Sequence, residues 1–240
     1  MLQYTELKRD RQKFLAFTGL TLKEFKSLLP AFTAAYRYQY ESDQTLAGRK
    51  RKRKMGGGRR GRLDTLEQKL LFILVYQKVY PLQVVLGELF GMTHAAANQW
   101  IHRLLPLLCE ALTALGVRPE RAGHQFANAE RRKGESADYI IDGTERRRQR
   151  PQTPEKQALH YSGKKKMHSD KNLIIVHTHS KRVGYLSPTH AGKTHDKKMA
   201  DQEQLAYPRQ AVLHKDTGFQ GYEPHVDQTH QPKKSRGAKT

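Results

Sequence analysis

The sequence is poor in cysteine, in acidic residues and in long apolar runs. Its one cysteine, Cys109, cannot form an internal disulfide, and the apolar helical pattern around it predicts a small core residue. No stretch reaches the roughly 18 apolar residues of a membrane-spanning helix, and the first residues do not read as a signal peptide. These absences exclude a disulfide-stapled scaffold, and they predict a cytosolic protein with no membrane partner.

The shortage of acids leaves a strong positive charge. Among 240 residues, 44 Lys and Arg stand against 23 Asp and Glu, which gives a formal net charge of +21 at pH 7. An excess of this size predicts a polyanionic partner, and nucleic acid is the usual one because each neutralised phosphate releases counterions. The charge is uneven along the chain, which favours two modest domains over one large domain.

The first quarter of the chain combines a short amphipathic helix with a basic segment. Apolar residues recur at helical spacing over 21–29, which predicts a helix that ends at Pro30. Residues 49–62 hold nine cations, four glycines and no acid, so they cannot bury a core. A solvated linker and a phosphate-binding arm both fit this composition, and the segment that follows favours an arm on the DNA backbone or in a minor groove. The cations expected to contact DNA are Arg49, Lys50, Arg51, Lys52, Arg53, Lys54, Arg59 and Arg60.

A pattern of three helices follows, over 64–79, 82–90 and 94–108. Pro81 follows the first helix, and the short turn Gly91-Met92-Thr93 joins the second to the third. Two helices joined by a short turn with glycine are typical of a helix-turn-helix, whose second helix lies in the major groove. Other helical bundles also have glycine turns, but the neighbouring cations favour DNA binding. The side chains expected near DNA are Thr93, His94, Ala97, Asn98 and Arg103.

The second half of the chain changes to strand patterns. Residues 139–142 and 211–216 both run from apolar side chains to an aspartate, Asp142 or Asp216, with a glycine one or two residues later. A single Asp-Gly is commonly a turn, but two copies, 74 positions apart (216 minus 142), predict acids at two strand ends, where an open sheet keeps its chemistry. Two such acids in a basic protein predict a metal site that faces DNA or RNA. Between them the pattern predicts strands over 173–177 and 183–186 and a helix over 194–205.

Taken in order, these segments resemble one family. They resemble the DDE-type transposases of bacterial insertion sequences, in particular the group that joins an N-terminal helix-turn-helix to a DDE superfamily endonuclease domain. The resemblance covers the chain from about Leu22 to its end. The segments that carry it are Arg-Lys-Arg-Lys before three glycines, Phe90-Gly91, Ile141-Asp142-Gly143-Thr144-Glu145, Tyr161-Ser162-Gly163-Lys164-Lys165-Lys166, His195-Asp196-Lys197-Lys198 and Asp216-Thr217-Gly218-Phe219-Gln220-Gly221-Tyr222.

The resemblance implies an α+β multidomain fold, in which an all-α helix-turn-helix domain precedes an incomplete RNase H-like α/β domain with a mixed sheet. In that family three carboxylates hold two divalent metal ions, Mg²⁺ or Mn²⁺, at the site of DNA cleavage and strand transfer. Asp142 and Asp216 match the first two as catalytic and metal-binding residues. Lys164, Lys165 and Lys166 would hold the DNA backbone beside the metals, although a charged strand face explains each of them equally well.

The sequence departs from the family pattern at its third acid, a glutamate on a later helix. The sequence stops at Thr240, and Glu223 and Asp227 follow Asp216 too closely to occupy such a helix. Lys215 is a smaller departure, because the family usually has a small or apolar residue there, and it would weaken metal affinity. The expected domains are an N-terminal helical segment at 1–48, the basic arm at 49–62, the helix-turn-helix at 63–115, a linker at 116–137 and an endonuclease domain at 138–240.

Two functions fit these expectations. One is a transposase that binds double-stranded DNA at transposon ends, acts as a multimer in the bacterial nucleoid and, when complete, performs Mg²⁺-dependent cleavage and strand transfer. The other is a truncated DNA-binding protein without catalysis, which represses transposition or is the product of a decayed gene. A general RNA-binding protein fits less well, because the aromatic residues do not form a stacking platform.

Overall fold

The computed structural model describes residues 1–40, 49–50, 61–134 and 136–233. The chain divides into two compact units, Met1–Val117 and Arg118–Thr240. Within the described ranges, no helix is both long enough and apolar enough to cross a membrane. Most cations of the predicted basic arm lie outside the described residues, namely Arg51, Lys52, Arg53, Lys54, Arg59 and Arg60.

The first unit is helical throughout its described regular structure, and its core is one continuous apolar cluster. Three-residue connections separate the helices, except that residues 41–65 lie between the third helix and the fourth. The helices are α1 (Tyr4–Leu7), α2 (Arg11–Thr18), α3 (Leu22–Tyr40), α4 (Leu66–Val79), α5 (Gln83–Phe90) and α6 (His94–Ala114).

The central helix of this unit is α4. Every side chain from Leu70 to Val75 is buried, as expected of a helix that is apolar on all sides. Thr65 caps its start, because the Thr65 hydroxyl accepts a hydrogen bond from the Gln68 N–H at 3.1 Å. Burial stabilises each such large apolar side chain by about 1.5–3 kcal/mol, so α4 anchors the unit.

The prediction that Pro30 ends the first helix is wrong. The helix α3 runs from Leu22 to Tyr40 with Pro30 inside it. A proline removes one backbone hydrogen bond, but Phe32 and Tyr36 beyond it are buried in the same core as Phe25. Tertiary packing of the continued apolar stripe therefore outweighs the local preference.

The helix α6 also continues through a proline, Pro106, and ends at Ala114, six residues (114 minus 108) beyond the predicted end. The prediction that Cys109 is a core residue is wrong, because Cys109 is exposed. Its neighbours Leu107 and Leu108 are buried instead, since α6 turns its side chains by about 100° per residue.

The helix-turn-helix is formed by α5, the turn at Gly91 and α6. Gly91 has φ of +66°, a conformation that costs glycine little, and it ends α5. A Cβ at Gly87 would lie 2.5 Å from the Met92 carbonyl oxygen, so only glycine lets the turn fold back against α5. The three predicted helices, over 64–79, 82–90 and 94–108, correspond to α4, α5 and α6, and their starts agree within two residues.

The second unit is a mixed sheet with helices. A 3-10 turn at Gly123–Gln125 opens it and a second at Thr217–Phe219 follows the sixth strand. The other elements are α7 (Phe126–Lys133), β1 (Asp138–Arg147), α8 (Pro154–His160), β2 (Tyr161–Ser162), β3 (Met167–His177), β4 (Val183–Leu186), β5 (His190–Ala191), α9 (Asp196–Glu203), β6 (Val212–Lys215) and β7 (Gln228–His230).

The sheet has the order β2-β3-β1-β6-β7, with β4 and β5 also paired to β3. The pairs β1–β3, β3–β4 and β3–β5 are antiparallel, whereas β1–β6 and β6–β7 are parallel. The predicted succession of three strands, a helix and a strand is present as β1, β3, β4, α9 and β6. This is the mixed sheet expected of a DDE endonuclease-like domain, and it confirms the predicted fold class.

The first predicted strand does not end at Asp142. The strand β1 continues to Arg147, because β3 pairs with it across Gly143 as far as Ser169 opposite Arg147. Asp142 is nevertheless exposed, since the neighbouring β6 ends at Lys215. The Asp142 carboxylate is therefore exposed by the end of β6 and not by the end of its own strand.

The stretch expected to link two domains, 116–137, holds structure from Arg118 onward. The helix α7 lies within it, and Phe126 is fully buried against the rings of Tyr139, Tyr185 and Tyr207. One aromatic residue therefore joins α7 to the core of the second unit.

Candidate active site and nucleic-acid surface

The pairing of β1 with β6 brings Asp142 and Asp216 together. The register matches Ile140 with His214 and Ile141 with Lys215, so Asp142 and Asp216 are the next residues on the two parallel strands. Neighbouring strands lie about 4.8 Å apart. Both aspartates are exposed, and each directly follows a buried residue, Ile141 or Lys215, whose side chain faces the core.

Each aspartate is oriented by a glycine of its own motif. Asp142 Oδ1 accepts from the Gly143 N–H at 2.8 Å, and Asp216 Oδ1 accepts from the Gly218 N–H at 2.9 Å. Gln231 donates to the Asp216 carbonyl oxygen at 2.6 Å. In the described part of the chain, the second oxygen of each carboxylate has no hydrogen-bond or ion-pair partner, so both remain open to a ligand.

A third carboxylate, Asp196, lies beside this pair. It is the first residue of α9, and Lys171 Nζ lies 3.2 Å from its Oδ1 while donating to the Thr194 carbonyl oxygen at 3.1 Å. The motif His195-Asp196 was part of the family resemblance, but no role was assigned to it. Nothing in the local sequence could have placed it, because α9 reaches the strands only through tertiary packing.

The donor set fits one divalent cation. Mg²⁺ prefers oxygen ligands and is commonly bound by one or two carboxylates, with waters and substrate phosphates completing its shell. Asp142 and Asp216 supply such a pair. Within residues 1–40, 49–50, 61–134 and 136–233, no three His, Cys, Asp or Glu side chains are grouped as metal ligands. The described residues therefore do not form the three-carboxylate centre that the family resemblance implies.

A groove of about 720 Å³ opens beside the aspartates. Its wall includes His214 and His230, whose rings stack at 4.9 Å, and His214 Nε2 lies 3.0 Å from Asp138 Oδ1. Ile140 lines the groove and is 39% exposed. The groove therefore places two stacked imidazole rings and the apolar side chain of Ile140 beside the two aspartates.

Two protein families match separate parts of the chain. Residues 61–114 match the family described as helix-turn-helix of DDE superfamily endonuclease, and residues 141–238 match the family described as DDE superfamily endonuclease. This is a DDE-superfamily, transposase-like protein. No curated protein and no solved structure matches the chain. DDE superfamily endonucleases generally use divalent metals.

Two other acids of the DDE endonuclease domain, Glu145 and Glu223, have partners of their own, and Glu223 Oε1 lies 4.0 Å from Lys215 Nζ. The Ser169 hydroxyl donates to Glu145. Burial raises the pKa of Glu145, but hydrogen bonds from Ser162 and Ser169 together with the positive charges of Lys171 and Lys165 outweigh burial and hold that pKa below its ordinary value. Glu223 has an 82% exposed side chain, and Asp227 is also exposed.

Lys215 does not face the aspartates. Its side chain is buried, and its ammonium donates to the Tyr222 carbonyl oxygen at 2.5 Å. Successive strand residues point to opposite faces of a sheet, so Lys215 lies on the core side while Asp216 lies on the open side. The expected weakening of metal affinity by Lys215 stays a prediction.

Four exposed cations of this domain lie near the end of β1 beyond Asp142. Lys164, Lys165 and Lys166 form the exposed turn between β2 and β3. Five residues of β1 separate Asp142 from Arg147, which is about 17 Å at the rise of a strand. Arg147 is exposed and has no ionic partner among the described residues.

In the helix-turn-helix domain, some of the predicted DNA-facing side chains are exposed and others are buried or half-buried. Thr93 caps α6, because its hydroxyl accepts from the Ala96 N–H at 3.3 Å. His94 and Arg103 are exposed, and Asn98 is half-buried. The prediction that Ala97 faces DNA is wrong, because Ala97 is fully buried in the helical core.

Two candidate DNA contacts on α6 were missed. Gln99 and His102 are exposed beside Arg103, opposite the buried Ile101 and Leu104. Helical periodicity could have found them, since a residue about 180° from the buried stripe faces outward. Of the basic arm, the structure describes Arg49 and Lys50, and both are exposed.

Proposed function

We propose that this protein is a transposase that binds the double-stranded ends of a bacterial mobile element and cleaves their DNA. The helix-turn-helix domain would read DNA through the exposed face of α6, and the basic arm would hold phosphates beside it. Asp142 and Asp216 would be the catalytic carboxylates. The observation that carries the proposal is the parallel register that puts these two acids side by side.

The two aspartates would hold Mg²⁺ or Mn²⁺ at the scissile phosphate. Such an ion, and a second one in a complete site, supplies positive charge for the attacking and leaving oxygens of an in-line displacement. The chain's own part is to fix the two carboxylates through the glycine N–H groups and to leave their second oxygens open. Action as a multimer and in the nucleoid, as in the resembling family, belongs to this proposal.

The lysines of the β2–β3 turn would extend the DNA-binding surface beyond the two aspartates. Lys164, Lys165, Lys166 and Arg147 would contact phosphates beyond the cleavage point. A run of cations neutralises several phosphates at once, so the binding should weaken steeply with salt.

The proposal is tested with the purified chain and supercoiled plasmids that carry or lack the element's ends. Nicking should require Mg²⁺ or Mn²⁺, stop on chelation and disappear in Asp142→Ala and in Asp216→Ala. Asp201→Ala is the matched control, because Asp201 is an exposed carboxylate on α9 that pairs with Lys197. Nicking that survives both active-site substitutions would refute the assignment of the catalytic pair.

A second candidate function is DNA binding without cleavage, as in a repressor of transposition. It is favoured by the observation that the described residues group no third acid with Asp142 and Asp216 as a metal ligand. Under this alternative, the chain binds the element's ends with steep salt dependence but nicks no DNA with either metal. Metal-dependent nicking that Asp142→Ala abolishes would eliminate it.

A further inference from the structure

The glycines of the two aspartate motifs are packed against one carboxylate. A Cβ at Gly143 would lie 2.8 Å from Asp196 Oδ1, and a Cβ at Gly218 would lie 2.9 Å from Asp196 Oδ2. Real Cβ atoms essentially never approach an oxygen so closely. One oxygen of Asp196 therefore faces each motif, and both motifs have a glycine at the contact.

The same contacts place Asp196 close to the catalytic pair. The Cβ position at Gly218 lies 2.9 Å from Asp196 Oδ2 and 3.0 Å from Asp216 Oδ1, so these two oxygens are at most 5.9 Å apart. The glycines that touch Asp196 are also the ones whose N–H groups hold Asp142 and Asp216. A shift of Asp196 would therefore move both carboxylates through their own backbone.

Asp196 is itself fixed from behind by Lys171. The side chains are 14% and 23% exposed, so this is a largely buried ion pair, and Lys171 also bonds the Thr194 carbonyl oxygen that precedes α9. Lys171 lies on β3 opposite Glu145 of β1. The pair thus ties α9 to the two strands that carry or flank Asp142.

We infer that Asp196, held by Lys171, is a positioning residue that sets the Gly143 and Gly218 backbone and, through it, the spacing of the Asp142 and Asp216 carboxylates. The expected effect on metal binding rests on the proposed function, in which the two carboxylates hold a divalent cation and their spacing sets its affinity. Partners that orient ligands without binding the metal commonly change metal affinity by about 10-fold to 100-fold.

The test measures Mn²⁺ affinity by electron paramagnetic resonance with the full chain. Asp196→Ala should weaken Mn²⁺ binding by about 10-fold to 100-fold, whereas Asp196→Asn, which keeps the shape, should stay closer to the unaltered chain. Asp201→Ala on the same helix is the control and should bind Mn²⁺ normally. Unchanged affinity in Asp196→Ala would overturn the inference, and so would an equal loss in Asp196→Asn, which would indicate direct ligation.

A double substitution tests whether Asp196 positions the Gly143 backbone or only fills space beside it. Gly143→Ala should lower both the melting temperature and the Mn²⁺ affinity because its Cβ meets Asp196. Adding Asp196→Ala removes the clash, so the melting temperature should recover while Mn²⁺ affinity stays low. Recovery of full Mn²⁺ affinity in the double variant would reduce Asp196 to a steric neighbour and overturn the inference.

A metal-free measurement keeps the inference apart from the proposed function. Amide hydrogen exchange at Gly143 and Gly218 should be faster in Asp196→Ala than in Asp201→Ala, because the contact on both glycines is lost. If the unaltered chain binds no Mn²⁺, the metal-dependent function fails, and these two amides still decide whether Asp196 positions the motifs. Exchange that does not change at either glycine would overturn it.

Discussion

Among the described residues, the helical unit, Met1–Val117, builds its core mostly from apolar side chains and buries one charged side chain, Lys69, whereas the unit from Arg118 onward buries Glu130 and Lys215. In the sheet unit, the buried Glu130 lies 2.6 Å from His177 and 2.9 Å from Arg182. An apolar core tolerates changes that keep its volume, but a buried charge is stable only with its particular partners. The two units therefore depend on different properties of their side chains.

The units also differ in how they form their functional surfaces. The α6 side chains Gln99, His102 and Arg103 are neighbours in sequence, so one helix presents them together. Asp142 and Asp216 meet only through strand pairing across 74 positions (216 minus 142). We expect DNA reading to survive changes that abolish the catalytic site.

The largest effect is expected from Asp216→Ala. Metal-dependent nicking should fall below detection, because one of the two carboxylates is gone, while affinity for end DNA stays within about twofold, since phosphate contacts supply most of it. Plasmid nicking and fluorescence anisotropy on the same preparation measure the two. If Asp216→Ala lost DNA affinity as severely as it loses nicking, DNA binding and catalysis would not be independent.

A second large effect should distinguish the two cores. Glu130→Gln keeps the volume but removes the buried carboxylate that lies 2.9 Å from Arg182, and breaking a buried pair costs about 3 kcal/mol or more. Leu70→Met in the helical core also conserves volume and should cost less than about 1.5 kcal/mol. Urea unfolding measures both, and similar losses would contradict the contrast between the cores.

A moderate effect is expected on α6. Gln99→Ala and Arg103→Ala should each weaken binding to the element's ends by about 1–3 kcal/mol if they contact bases. Arg9→Ala is the matched control, since Arg9 is an exposed arginine of the same unit. If the loss of binding free energy is identical for end DNA and unrelated DNA, the α6 residues contact phosphates and not bases.

The smallest expected effect is a pH-dependent change in the stability of the sheet unit. The folded-state pKa of Glu145 lies below its ordinary value of 4.5, because hydrogen bonds from Ser162 and Ser169 and the charges of Lys171 and Lys165 together outweigh burial. The stabilisation is therefore present above pH 4.5 and is lost as the pH falls through the lowered folded-state pKa. Glu145→Gln should be less stable than the unaltered chain at neutral pH, and the difference should shrink in acid. The stability difference of Leu70→Met should not follow pH, and a Glu145→Gln difference that is constant with pH would contradict the assignment.

Elements with strong local signals were predictable from the sequence. The helices α4 to α6 begin within two residues of the predicted starts, because periodicity and caps such as Thr65 and Thr93 are local. The strand β4 has the predicted bounds. Short elements with few apolar residues, such as α7, α8 and β7, gave no comparable signal.

The errors at Pro30 and Ala97 have one physical cause. Both residues were assigned from local rules, and both are governed by packing with distant residues, which carries α3 through Pro30 and buries Ala97. The candidate site shows the same division. The two Asp-Gly motifs could be read directly, but Asp196 could not be assigned a place beside them.

The sequence by itself determined the positive charge, the helix-turn-helix and the two aspartate motifs, because each depends on residues close together in the chain. Only the tertiary structure decided that Asp142 and Asp216 lie in register and that Asp196 packs between their glycines. Strand pairing joins residues 74 positions apart (216 minus 142), and helix docking brings Asp196 to Gly143, 53 positions away (196 minus 143). Such contacts depend on the free energy of the whole fold, which no local pattern contains.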